Sequence, residues 1–246
     1  MQAFARGLAV IRCFDAEHPE LGVADVARRT GTTRAAARRF LLTLLDLGYV
    51  STDGRTFRLT PRVLDLGYSY LSSLSLPDLA QPHLERLSAQ LQESCSVSVL
   101  DGGDIVYVAR VATRRIMSAA ITVGTRFPAH ATSMGRVLLA ELDPADAARR
   151  VEGTHPQALT ARTLHETAPV LAELQRVRSQ GFALVDQELE DGVRSVAVPL
   201  HRDGAVVAAV NVSVPASRFS TASLRRDVLP RLRECAAAIE EDLARG

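Results

Sequence analysis

Two helical patterns within residues 21–47 are separated only by Thr30-Gly31-Thr32-Thr33, and that short break constrains the fold more than any other feature of the chain. Helices joined so tightly cross steeply, which requires a small side chain where they meet and a left-handed residue at the turn. Ala27 and Gly31, four residues apart, supply both. Ala37, Phe40, Leu41, Leu44 and Leu45 then face back into a small core. The opposite face of that second helix carries Arg34, Arg38 and Arg39, with Thr32 and Thr33 at its start. Directly behind it, Tyr49-Val50-Ser51-Thr52, an Asp53-Gly54 turn and Arg55-Thr56-Phe57-Arg58-Leu59 predict a two-stranded wing. These spacings describe a winged helix-turn-helix. Arginine binds guanine bidentately or pairs with phosphate, and hydroxyls and free amides at a helix start hold phosphate, so this face suits the major groove of double-stranded operator DNA. Arg55 and Arg58 are expected to reach the backbone or the minor groove. The plainer alternative, a small helical domain with a solvated arginine face, explains neither the Ala27 and Gly31 spacing nor the hairpin behind the basic helix.

Charge limits how such a surface can work. Across 246 residues there are 29 basic and 28 acidic side chains, so the net charge is +1. That excludes a protein that coats DNA through bulk positive charge and makes any nucleic-acid surface local. Cys13, Cys95 and Cys235 lie far apart and the six histidines do not gather beside them, which argues against a disulfide framework, a zinc site or a metal sensor. Without a long apolar run, a leader-like N-terminus or a phosphate-cradling glycine loop, the expectation is a cytoplasmic protein with no membrane segment and no cofactor.

Periodicity changes at Thr60-Pro61, where the residue before proline leaves helical geometry and the proline can open a new helix. The expected organisation is therefore a DNA-binding domain over 1–60, a linker helix over 61–76 and a larger domain over 77–246. Val63, Leu66, Tyr70, Leu71 and Leu74 give the linker one apolar stripe, and Leu76-Pro77-Asp78 is read as its end. Such a stripe needs cover, from its own domains or from a second copy. Beyond it, Leu84, Leu87 and Leu91 mark a helix whose first turn contains Pro82. Residues 95–100 and 105–111 predict a hairpin through Asp101-Gly102-Gly103-Asp104, and residues 195–200 and 205–214 a second through His201-Arg202-Asp203-Gly204. Helices are expected over 133–142, over 144–151, from a Thr163-x-x-Glu166 capping box toward Gly181, and from about Thr221 onward. The order implies an α+β domain, with helices packed on an antiparallel sheet.

Residues 4–59, with the blocks 104–118 (DIVYVARVATRRIMS) and 123–140 (VGTRFPAHATSMGRVLLA), resemble the IclR family of bacterial transcription regulators, and the second part is similar to the branch that controls aromatic acid catabolism. The resemblance implies a two-domain α+β fold: a winged helix-turn-helix, a linker helix, and an effector domain with a curved antiparallel sheet flanked by helices. It also implies a homodimer or homotetramer on operator DNA, responsive to a small carboxylate such as an aromatic acid or β-ketoadipate. His130 departs from the branch, where tyrosine is expected.

At Ser133-Met134-Gly135 a helix start offers unpaired amides that attract an anion. The resemblance implies that Ser133 and Met134 contact the effector carboxylate and that Asp186, Ser195, Asn211 and Ser213 line the same site. Arg126 and His130 join the candidates by their position beside this loop. Each reading has a plain alternative: Ser133 as an ordinary N-cap, Asn211 facing solvent, Asp186 in a solvated acidic loop. A hydrolase on a sensor-like domain is the rival function. It lacks a Gly-x-Ser-x-Gly elbow and a third partner for Ser133 and His130.

Overall fold

The computed structural model describes residues 2–71, 75–113 and 121–245. By contact the chain separates into residues 1–73 and 74–246. In the first unit α1 (Gln2–Arg12) and a short strand β1 (Glu20–Leu21) precede α2 (Val23–Thr30) and α3 (Arg34–Asp46). Gly31 ends α2 in the left-handed region, with φ 62° and ψ 29°, so that the Thr32 N–H reaches back to the Ala27 carbonyl at 3.0 Å. The Thr33 hydroxyl then caps α3 by accepting from Ala36 N–H at 3.2 Å. Strands β2 (Val50–Thr52) and β3 (Phe57–Leu59) form the expected wing, and β1 pairs with the other edge of β3. Val10, Val26, Ala37 and Leu41 are fully buried at the centre of this unit. Burying one such Val or Leu side chain contributes roughly 1.5–3 kcal/mol.

A 3-10 turn over Pro61–Val63 leads into α4 (Leu64–Leu71). Two residues of the linker region, Leu64 and Leu66, are 70% and 50% exposed. Leu74 and the side chains of Tyr70 and Leu71, also assigned to the apolar stripe, lie outside the described residues, as do positions 114–118 of the quoted block.

The second unit opens with α5 (Ser75–Leu91), which corrects the reading of Leu76-Pro77-Asp78 as a helix end. Pro77 sits in the first turn, where backbone N–H groups have no intrahelical acceptor, so a proline there costs nothing. Pro82 falls inside α5 rather than at its start. Strands β4 (Ser94–Asp101) and β5 (Asp104–Val111) follow, then β6 (Arg126–Pro128), a 3-10 turn over Ala129–Ala131, and the helices α6 (Ser133–Ala140), α7 (Pro144–Thr154) and α8 (Thr167–Gln180). The chain finishes with β7 (Ala183–Asp186), β8 (Val193–Arg202), β9 (Ala205–Pro215), a short α9 (Thr221–Ser223), a π-helical turn over Leu224–Val228 and α10 (Leu229–Arg245).

All six strands join one antiparallel sheet in the order β6-β5-β4-β9-β8-β7. The β8–β9 hairpin closes through Asp203 and Gly204, both at positive φ (53° and 78°), as a two-residue loop requires. One side of the sheet packs against α5 and α10 and the other against α6, α7 and α8, each through its own apolar core. The capping box is corrected as well. Helix α8 begins at Thr167 with Glu166 in the N-cap position and no side-chain bond. Thr163 instead accepts from the Leu159 and Thr160 amides and donates to the Glu188 carbonyl at 2.6 Å, tying two loops together.

Candidate nucleic-acid interface and effector site

In the first unit the arginines divide by what surrounds them. Arg28 and Arg29 of α2 are held by Asp25 at 2.7 Å and Asp15 at 2.6 Å. Arg34, Arg38 and Arg39 of α3 are exposed and make no ion pair among the described residues. Three cations not offset by acids therefore stand on α3 although the chain is almost neutral. Thr32 is half-buried with its hydroxyl 2.9 Å from that of Thr30, and Thr33 is exposed at the cap. In the wing the Asp53 carboxylate accepts from the Thr56 and Arg55 amides at 2.7 and 2.8 Å, and these bonds hold its pKa below the ordinary carboxylate range. That Asx turn presents Arg55 exposed. Arg58 is exposed too, but lies 3.5 Å from Glu20 on β1, a partner invisible until β1 is known to pair with β3.

In the second unit the candidates separate into a group that converges and a group that does not. Thr132, not Ser133, is the N-cap of α6: its hydroxyl accepts from Gly135 N–H at 3.0 Å. Ser133 is thus freed of the capping role. It is 1% exposed and its Oγ has no hydrogen-bond partner among the described residues. Met134, equally buried, brings its sulfur 3.2 Å from Ser98 Oγ on β4, which fixes the start of α6 over the sheet. On β9, Asn211 is 3% exposed; its Nδ2 donates to Ser213 Oγ at 3.1 Å while Oδ1 is buried without a partner among the described residues. Ser195 pairs with Ser213 across β8 and β9 and so shares its face of the sheet. Ser133, Met134, Ser195, Asn211 and Ser213 are therefore brought to the α6 side of the sheet, because α6 packs across β4, β8 and β9.

Three candidates are committed elsewhere. Arg126 is exposed at the sheet edge and paired with Asp101 and Asp104 at the hairpin. His130 is buried, with Nε2 against the Gln157 carbonyl at 3.2 Å, and burial lowers its pKa, so the ring is neutral near pH 7 and supplies no charge. Asp186 is bound by Arg194 at 2.5 Å and by Arg162 at 3.2 Å. Burial opposes its charge, but Arg194, Gln187 and Arg162 together hold its pKa below the usual range. It acts as an acid already neutralised by two cations, and its place in the sequence beside other acids gave no sign of that.

Other participants were not foreseen. Arg136 on α6 is 1% exposed; its Nε donates to the His130 carbonyl at 2.8 Å and its two terminal nitrogens to both Glu188 oxygens, at 2.7 and 2.5 Å. Glu188 in turn accepts from the Leu164 amide at 2.9 Å. This fork anchors the first turns of α6 to the β7–β8 loop and, through the Leu164 amide, to the loop before α8. On the sheet, Ser94, Ser96 and Ser98 of β4 are buried, and Arg110 of β5 donates to Ser96 Oγ at 3.0 Å. Alternate serines in an otherwise apolar strand are the signal that points to a polar floor. Among the described residues no three His, Cys, Asp or Glu side chains gather to hold a metal ion, and no helix is long and apolar enough to cross a membrane.

The Pca regulon regulatory protein of Pseudomonas putida is 47% identical over 94% of this chain and 80% of its own length. A transcriptional regulator of Rhodococcus sp. RHA1 of known structure is 56% identical, with a TM-score of 0.88 over 99% of this chain and 98% of its own. A double mutant of the inducer-binding domain of the Acinetobacter transcription factor PobR, solved as a complex with 3-hydroxybenzoic acid, is 34% identical, with a TM-score of 0.64 over 68% of this chain and 98% of its own. Residues 3–54 match the IclR helix-turn-helix domain, and residues 68–241 match the C-terminal region of bacterial IclR transcriptional regulators. The chain belongs to the IclR family of bacterial transcriptional regulators.

Proposed function

We propose that this regulator binds operator DNA through Arg34, Arg38, Arg39 and the hydroxyls of Thr32 and Thr33, with Arg55 and Arg58 in the wing, and that a small aromatic carboxylate bound on the α6 side of the second unit changes its affinity for that DNA. The observation that carries the effector reading is the pair of buried orphans, Ser133 Oγ and Asn211 Oδ1, on elements that pack together. A buried polar group without a partner costs about 1–3 kcal/mol, and a ligand that satisfies it recovers that cost. The amide-rich start of α6 adds a preference for negative charge. The aromatic acid class draws its support from the PobR domain seen with 3-hydroxybenzoic acid and from the Pca regulon relative.

The rest of the proposal follows from the same chemistry. The protein acts in the cytoplasm, where operator DNA is, as a homodimer or homotetramer whose twofold symmetry matches paired half-sites. It is a regulator and not an enzyme. For a hydrolase, Ser133 would need a base, yet its hydroxyl has no hydrogen bond among the described residues and His130 is turned to the Gln157 carbonyl.

Calorimetric titration with 3- and 4-hydroxybenzoate, protocatechuate, β-ketoadipate and glyoxylate tests the ligand class. Saturable binding of an aromatic acid is expected. Binding of glyoxylate alone would reassign the effector to small aliphatic acids.

A further inference from the structure

Arg110 has the surroundings of an anion site and, among the described residues, no acid paired with it. Along β5, Ile105 and Tyr107 are buried on the α6 side, and counting in twos from them sends Arg110 to the opposite side, toward α5 and α10. The pairing shows otherwise. Val97 of β4 faces Ala109, and the next residue, Ser98, faces Tyr107, which leaves Val108 as the extra residue of a β-bulge. The alternation inverts behind it, and Tyr107 and Arg110 come to share the α6 side. The guanidinium carbon lies 5.9 Å from the centroid of the Tyr107 ring, and Nη1 donates to Ser96 Oγ. Arg110, Ser96 and Asn211 are successive partners across β5, β4 and β9, so the half-buried cation lies in the same row as the orphaned carboxamide oxygen.

The charge around it is unbalanced. Arg126, Arg136, Arg162 and Arg194 are each tied to a carboxylate. Arg110 makes no ion pair among the described residues, its Nε is buried without a partner, and residues 114–120 (RRIMSAA) contain no acid. Burial pulls its pKa below the ordinary arginine value. With Nη1 fixed by Ser96, the edge formed by Nε and Nη2 is the one left to take both oxygens of a carboxylate in a fork.

We propose that Arg110 supplies the counter-charge for the effector's carboxylate and thereby selects an aromatic acid over its neutral analogues. This rests on the effector reading given above and adds the residue that reads the charge. The bulge at Val108 is the device that delivers it, and Ser96 sets its orientation.

The test is calorimetric titration of the full-length protein with 3-hydroxybenzoate, 4-hydroxybenzoate and protocatechuate, each beside its carboxamide, on the wild type, Arg110→Met and Arg110→Lys. Melting of each unliganded protein is measured in parallel. Wild type is expected to bind at least one acid about thirtyfold or more tighter than its amide. Arg110→Met should lose that preference while keeping affinity for the amide, and Arg110→Lys should keep part of it. Unliganded Arg110→Met should melt no lower than wild type, because it removes an uncompensated charge. An acid preference that survives in Arg110→Met overturns the assignment and leaves the effector reading standing. Loss of acid and amide together with a lowered melting temperature makes Arg110 a structural residue, which overturns it too. A wild type that binds none of the acids removes the effector reading and this inference with it.

Discussion

Arg34, Arg38 and Arg39 on α3 make no ion pair among the described residues while the arginines of α2 are held by acids, and this difference decides which of them can meet a phosphate or a base. Replacing Arg38 with Ala is expected to weaken operator binding by about 1–3 kcal/mol and to leave effector affinity unchanged. Fluorescence anisotropy on a labelled operator, beside calorimetry with the effector, checks both halves. In the second unit Asn211→Val removes an orphaned acceptor from a buried site. The unliganded protein should unfold at the same or a higher denaturant concentration, and effector affinity should fall about tenfold or more. Glu188→Ala has the opposite character. It leaves Arg136 buried and unpaired, and equilibrium unfolding should show a loss of about 3–5 kcal/mol. The sequence named Ser133, Asn211 and Asp186 through the resemblance, and Arg126 and His130 only by their place beside the loop, and on neither ground does it show what each side chain touches. What separates them is the partner each side chain finds: Asp104 lies 22 residues from Arg126, Gln157 lies 27 from His130, and Asp186 combines Arg162, 24 residues away, with Arg194, only eight away but on the neighbouring strand.

At the scale of elements, α6 is held by contacts on every side, and Gly135 is where this is tightest. A Cβ built there would sit 2.2 Å from the Ala129 carbonyl oxygen, so the 3-10 turn over Ala129–Ala131 and the first turn of α6 approach closer than any side chain allows. Gly135→Ala should destabilise the protein by about 1–3 kcal/mol or more and displace the helix start, with loss of effector binding; chemical denaturation and calorimetry read the two effects. Elements whose signal is local were legible: the α2–α3 turn through Gly31, the wing, and both hairpins through Gly102 and Asp203-Gly204. Those that depend on distant chain were not. Strand β1 has two residues and β6 three, too short to show a period, and they exist because β3 and β5 offer open edges. Pro77 misled because proline marks the start of a helix as readily as its end, and the bulge at Val108 hid Arg110 because alternation is read on the assumption that it never slips.

The whole molecule has two functions to connect, and the proposed association of copies has an apolar surface to use. Phe4 and Leu8 of α1 are 76% and 44% exposed, and Leu64 and Leu66 on α4 are exposed as well. Association of copies would cover this apolar surface, so Leu66→Glu is expected to shift the protein toward monomer in analytical ultracentrifugation and to weaken operator binding with it. Regulation then amounts to a coupling free energy between effector and operator, and such coupling is reciprocal: operator saturation must alter effector affinity by the factor by which effector saturation alters operator affinity. The most direct measurement is operator affinity by anisotropy with and without a saturating aromatic acid that calorimetry has shown to bind. The account predicts a change of about 5- to 150-fold, matched when effector affinity is measured on the operator complex. An operator affinity that stays constant while the acid occupies its site would contradict it.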